Sequence, residues 1–163
     1  MKSRKLNRDG NRRVENGRLV YYHQTANQGY WEDVWESVLT PEYYKPFQNG
    51  KLFNFDSMFK LHLPKNGVIL EAGCGTAQWV VALESLGYHC MGLDYALDAM
   101  RKARQMVGPL PLVSGDLTAL GILDNIFDAI ISLGVVEHRR IGPEVFLHEM
   151  RRVLKPGGVM LIS

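Results

Sequence analysis

An apolar run that ends in an acid and two glycines is the first feature able to do chemistry. Val68-Ile69-Leu70-Glu71-Ala72-Gly73-Cys74-Gly75-Thr76-Ala77 carries apolar residues into Glu71, then into a Gly-x-Gly, then into a helix-like apolar segment. Gly73 permits a turn conformation closed to residues with a Cβ, and Gly75 lets main chain approach a ligand closely. A helix starting near Ala77 directs its free N–H groups and its positive dipole end at the same place. Two more acids occupy equivalent points. Asp94 closes the run Cys90–Asp94, where a carboxylate can bridge two ribose hydroxyls, and Asp116 closes the run Leu110–Asp116. Asp116 could accept from an exocyclic amine while the Leu117 backbone meets a ring nitrogen. A helix-capping role for Asp94 and a turn role for Asp116 stay open. The dinucleotide pattern Gly-x-Gly-x-x-Gly has Gln78 in its last place, and an anion at Glu71 would repel a pyrophosphate. The pattern thus argues against a nicotinamide-linked oxidoreductase and for a ligand with a cationic part.

These residues need a scaffold that lines up strand ends. Short apolar runs fall at 68–72, 90–94, 110–116, 127–134 and 159–163. Helical patterns lie between them: Ala77 to Leu86, stopped by Gly87; Leu97 to Val107, stopped by Gly108-Pro109; and Pro143 to Leu154, stopped by Lys155-Pro156-Gly157-Gly158. The connector Leu117–Asn125 holds at most a brief helix. Such alternation predicts an α/β fold, a Rossmann-like doubly wound sheet, mostly parallel, with helices on both faces. Ligands then bind beyond the carboxyl ends of the strands. Residues 19–63 form an aromatic-rich, helical cap. Trp31, Trp35 and Val38 share one helix face, Pro41 ends that helix, and a second helix runs from Asp56, as N-cap, to His62. Three parts follow: a basic tail over 1–18, the cap over 19–63, and the ligand-binding domain over 64–163.

Composition narrows the function classes. A chain of 163 residues with 46% hydrophobic and 22% charged residues suits one soluble domain. A net charge of +2 implies no nucleic-acid groove. The charge is uneven, because Lys2, Arg4, Lys5, Arg8, Arg12, Arg13 and Arg18 outnumber Asp9 and Glu15 over residues 1–18. The tail reads as disordered and solvated, with a nucleic-acid or membrane arm as the alternative. Cys74 and Cys90 lack metal-ligand spacing and read as thiols in a reducing compartment. Neither a secretory apolar segment nor a membrane-spanning run is present, so a cytoplasmic location is the expectation.

The residues Ile69–Ala77, Gly92–Arg104, Ser114–Leu117, Phe127–His138 and Glu149–Ser163 together resemble the class I S-adenosylmethionine-dependent methyltransferases, of the small-molecule, methyltransferase type 11-like group. The resemblance implies S-adenosyl-L-methionine as cofactor. It assigns Glu71, Gly73, Cys74 and Gly75 to the methionine end, Asp94 to the ribose, and Tyr95, Asp116 and Leu117 to the adenine. Leu133 and Gly134 would meet the cofactor's amino group, and Val135 to His138 would face the acceptor. Ala77 stands where the family often has a third glycine, and Ala96 where it often has a capping serine.

The implied reaction is in-line methyl transfer to a small-molecule acceptor. His138 and Glu137 are the candidate bases, and Tyr21, Tyr30 and His138 the candidate acceptor contacts, with His23 also in the cap. Trp31 and Trp35 could wall the site or simply pack the cap. Cys74 has no neighbouring base in the loop to make it a nucleophile. The segment after the fourth strand, Ser132–His138, does not match an amino-methylating DNA motif, which argues against nucleic acid. A homo-oligomer is left open. The family's sheet normally continues with strands six and seven, so a truncated chain is expected, with the alternative of a non-catalytic module or fragment acting through a partner.

Overall fold

The computed structural model describes residues 12–15, 17–21, 28–36, 38–139 and 141–163. In chain order the elements are β1 (Arg12–Glu15), β2 (Arg18–Tyr21), α1 (Gln28–Glu36), α2 (Pro41–Gln48), α3 (Asp56–His62), β3 (Val68–Ala72), α4 (Gln78–Ser85), β4 (His89–Asp94), α5 (Leu97–Val107), β5 (Leu112–Ser114), β6 (Phe127–Ser132), α6 (Glu144–Val153) and β7 (Leu154–Ile162). The last five strands make one sheet in the order β5-β4-β3-β6-β7, every neighbouring pair parallel. From β3 the chain moves outward through β4 and β5, then crosses back to β6. The strand order therefore reverses between β3 and β6, which is where such sheets open a crevice.

Strands buried on both faces read as nearly continuous apolar runs, and β3 does so apart from Glu71 near its carboxyl end. Ile69 packs with Val80, Leu83 and Met100 beneath α4 and α5, while Leu70 packs with Ile130, Phe127, Met150 and Val153 beneath α6. The cap joins the first of these clusters through Tyr44, Leu52 and Phe59. Trp79, on α4, is the junction: Phe47, Phe55 and Phe59 all meet its ring edge-on at 5.1 to 5.8 Å.

The sheet and its helices follow the sequence pattern, with strands somewhat shorter than predicted at β5 and β6. Elsewhere the structure corrects it. Pro41 does not end a helix: α1 stops at Glu36, and Pro41 opens α2, at a position where its missing N–H costs nothing, while Thr40 Oγ1 caps that helix by accepting the Tyr43 N–H at 3.2 Å. Asp56 is the first helical residue of α3 and not its N-cap, and its carboxylate pairs with Lys60 one turn on at 2.9 Å. Residues 12–15, expected in a disordered tail, pair antiparallel with residues 18–21, most of which were expected in the helical cap. Gly17, just before β2, takes a left-handed φ of +76°, as a tight hairpin connection demands. Residues 1–11, with most of the tail's charge, lie outside the described residues, as does His23.

The strand β7 begins earlier than its apolar run. Leu154 pairs with Phe127, the register then shifts, and the ladder resumes at Val159 opposite Ala129. Lys155 in the bulged segment donates to Asp128 at 2.8 Å. The connector before β6 contains no α-helix. Arg152 holds it instead, donating to the carbonyls of Leu120 and Ile122 at 2.8 Å while pairing with Asp124 and Glu149. Among the described residues no helix is long and apolar enough to cross a membrane.

The aromatic junction predicts how cap and sheet unfold. Phe59→Ala removes a fully buried ring and should lower the unfolding free energy by about 3–5 kcal/mol in urea titration. The loss should appear in a single transition. A separate early transition for the cap would show that its core is independent of the sheet.

Candidate active site

At the reversal of strand order the carboxyl ends of β3, β4 and β6 surround a cavity of about 250 Å³. Its floor is the loop after β3. Gly73 has φ +81°, and a methyl built on it would lie 2.6 Å from Val135, so both conformation and space call for glycine. At Gly75 the close approach is made by protein: a methyl there would come within 3.1 Å of the Trp35 indole, and φ is +49°. Ala77 also has a left-handed φ of +58°, although it carries a Cβ and is fully buried. That is the strain a third glycine would relieve, on the order of 1 kcal/mol.

Two carboxylates hold this floor. Glu71 is 4% exposed, and its Oε2 accepts the Val80 N–H of the first turn of α4 at 3.1 Å. Asp94 accepts the Gly75 N–H on one oxygen at 2.7 Å and the Ala96 N–H on the other at 2.8 Å. Asp94 thereby ties the glycine loop to the residue before α5, a helix that has no side-chain cap of its own. Burial pushes the Glu71 carboxyl well above the usual range, against the lowering effect of Val80, and the neighbouring Asp94 adds to the rise. Asp94 is also pushed up by burial, opposed by its backbone donors. Both thiols, Cys74 and Cys90, are raised well above the usual value by burial and so stay protonated.

The opposite wall is aromatic and apolar. Trp31 and Trp35 stack at 5.5 Å with 17° between planes, and His138 meets Trp31 edge-on at 4.8 Å. Leu117, Leu133, Val135 and Phe146 complete it. Among the described residues around the cavity there is no Lys or Arg.

Of the residues singled out in the sequence, Glu71, Gly73, Cys74, Gly75, Asp94, Tyr95, Leu117, Leu133, Gly134 and His138 line this one cavity. Three others sit apart. Asp116 is exposed, and its Oδ1 accepts the Thr118 N–H at 2.8 Å, the turn role left open above. Glu137 is half-exposed beside His138, with Oε1 3.9 Å from Nε2. Tyr30 supports Trp31 edge-on at 5.1 Å without lining the cavity. Tyr21 ends β2, and its side chain lies outside what the structure describes. Thr76, Gln78, Trp79 and Phe146 line the cavity but were not singled out for it. For Gln78 a signal existed, since a polar residue opening an otherwise apolar helix faces the strand ends. For Phe146 there was none.

The donor set suits a ligand with a positive centre. Two buried carboxylates, with no Lys or Arg among the described lining residues, disfavour a pyrophosphate and favour a cation that would bring their pKa values back down.

A model of the family described as a methyltransferase domain matches residues 70–162. The demethylmenaquinone methyltransferase of Staphylococcus haemolyticus is 34% identical over 124 residues, covering 71% of this chain and 50% of that protein. The chain spans about half the length of the curated relatives it matches. Among solved structures, an S-adenosylmethionine-dependent methyltransferase of Thermotoga maritima aligns with a TM-score of 0.61 at 23% identity, over 81% of this chain and 60% of that one. The [4+2]-cyclase SpnF aligns with a TM-score of 0.55 at 26% identity, over 66% of this chain and 42% of that one.

The buried acids predict a pH dependence of the ligand-free protein. The folded state holds a proton on Glu71 more tightly than the unfolded chain does. Its contribution to stability is therefore greatest below the ordinary carboxylate range and is lost as pH rises through the raised folded value. Glu71→Gln keeps an acceptor for Val80 and removes the buried charge. It should raise Tm at about pH 8 and lose that advantage by about pH 4. A gain of equal size at both pH values would show that another group titrates.

Proposed function

The chain belongs to the class I S-adenosylmethionine-dependent methyltransferases, and from that premise we propose that it transfers a methyl group to a small, apolar, planar acceptor. One observation carries the reading: a single cavity has buried acids on one side and an uncharged aromatic wall on the other. When bound, S-adenosylmethionine supplies an electrophilic methyl on a positively charged sulfur. The residues present fit it. Asp94 offers two carboxylate oxygens to vicinal hydroxyls, the loop from Gly73 to Gly75 forms the floor, and Tyr95 lies next to the acid as a flat face.

The wall of Trp31, Trp35, Val135 and Phe146 excludes water and orients a flat acceptor, which is most of what such a displacement requires of a protein. Stacking against Trp31 favours an aromatic ring. The His138 imidazole, which lines the cavity, is the candidate to take a proton from an acceptor hydroxyl. The relative that acts on demethylmenaquinone, by its name, supports an acceptor of this kind. The lack of Lys or Arg among the described residues lining the cavity argues against nucleic acid as acceptor.

The SpnF likeness supports a second reading, in which the same cavity serves chemistry other than methyl transfer. Transfer of labelled methyl to a panel of phenols and hydroquinones separates the two. The methyltransferase reading expects methylated product with at least one of them, and labelled donor left intact throughout would favour the other. Asp94→Ala should weaken S-adenosylhomocysteine binding about tenfold or more by calorimetry, and unaltered affinity would remove the ribose assignment. His138→Ala should lower kcat about 100-fold while leaving donor affinity unchanged. An unchanged kcat would show that no base is needed there.

A further inference from the structure

The α2 helix reaches the cavity by a route the acids and aromatics do not explain. Tyr43 and Tyr44 are adjacent on α2, and both hydroxyls end at the glycine loop. Tyr44 is fully buried, and its hydroxyl donates to the Thr76 carbonyl at 2.7 Å. The Tyr43 oxygen lies 3.0 Å from Thr76 Oγ1, and its hydroxyl donates to Gln78 Oε1. Burial holds the Tyr43 phenol up, so it remains a donor. With its own proton spent on Gln78, the phenol oxygen can accept from the Thr76 hydroxyl. A directed relay results, from Thr76 through Tyr43 to the carboxamide oxygen of Gln78.

The relay has a chemical consequence. A carboxamide offers an acceptor at one end and two donors at the other. Tyr43 occupies the acceptor end, which leaves Nε2 as the end of Gln78 available to the cavity that this residue lines. Gln78 is also the first residue of α4, so its side-chain donor adds to the backbone N–H groups of a helix start. Glu71 stands at the same helix start, with its Oε2 on the Val80 N–H, so Gln78 and Glu71 there suit the two opposite charges of an amino-acid group. A ligand carboxylate set against Gln78 would meet donors at the start of α4.

We propose that Tyr43, braced by Thr76, positions the carboxamide of Gln78 to receive the carboxylate of the cofactor's amino-acid end. This rests on the cofactor reading above and extends it: the helical cap becomes part of the cofactor site, with Gln78 as a contact and Tyr43 as a positioning residue. The geometry separates two halves of one ligand. Recognition of the adenosyl half belongs to the ends of β4 and β5, and recognition of the amino-acid half to α2 and α4.

Calorimetry with two probes tests it. S-adenosylhomocysteine carries both halves, whereas 5′-methylthioadenosine lacks the amino-acid end. Tyr43→Phe keeps the ring and its packing against Tyr44 and Phe47. Gln78→Glu keeps the acceptor for Tyr43 but replaces the donor by an anion. Each variant should weaken S-adenosylhomocysteine about tenfold and change 5′-methylthioadenosine less than about twofold. The effects of Tyr43→Phe and Gln78→Ala together should fall short of their sum, as for residues acting on one contact. Equal weakening of both probes would reduce the relay to support of the loop and overturn the proposal, as would no weakening of either. A wild-type protein that binds neither probe would overturn the cofactor reading itself, and the proposal with it.

Discussion

Glu71 and Asp94 emerge from adjacent parallel strands, paired so that Glu71 lies opposite Gly92, and each turns inward onto backbone N–H groups. Glu71 takes the Val80 N–H of α4, while Asp94 spans the Gly75 loop and the start of α5. Two helices and the loop between them are thus tied to the sheet by buried carboxylates. Buried anions are costly unless they are hydrogen-bonded, and here backbone donors supply part of the compensation. The remaining cost is a standing bias toward a ligand that brings positive charge. The same contacts that shape the cavity therefore select what can fill it.

A floor held in this way still needs a roof, and the cap supplies it by packing. Phe47, Phe55 and Phe59 grip Trp79 on the outer side of α4, and Trp35 covers Gly75 from above. Because Trp35 rests on a residue with no side chain, the cap approaches the loop more closely than any substitution would allow. Trp31 then carries the contact across to His138, beyond β6. An ion pair between Glu36 and Lys102 at 3.0 Å, mostly exposed, adds little to this arrangement beside the aromatic contacts. The cap and the sheet domain share one apolar core, and the cavity lies where that core opens.

Much of the fold was legible along the chain. The five runs of apolar residues, the helices between them and their glycine stops are each set within about ten residues, where period and turn chemistry operate. What was misread was local chemistry that competes with a more obvious signal. The basic charges of the first segment mask a tight hairpin at Gly17, and Pro41 reads as a stop although Thr40 before it makes it a start. Asp56 looked like a cap, but a helical turn begun at Phe53–Phe55 already precedes it.

For the site, the sequence by itself determined which residues stand at strand ends, since each follows directly from the end of an apolar run. Ten of the residues singled out there line one cavity because a parallel sheet brings its carboxyl ends together. Only the tertiary structure decided the rest: that Asp116 turns to Thr118, that Trp35 lies on Gly75, that Phe146 closes the wall, and that Tyr43 grips Gln78. Each of those contacts sets an orientation, and all but the first join residues tens of positions apart. They are chosen by how helices pack over the sheet, and no local period or turn rule carries that information.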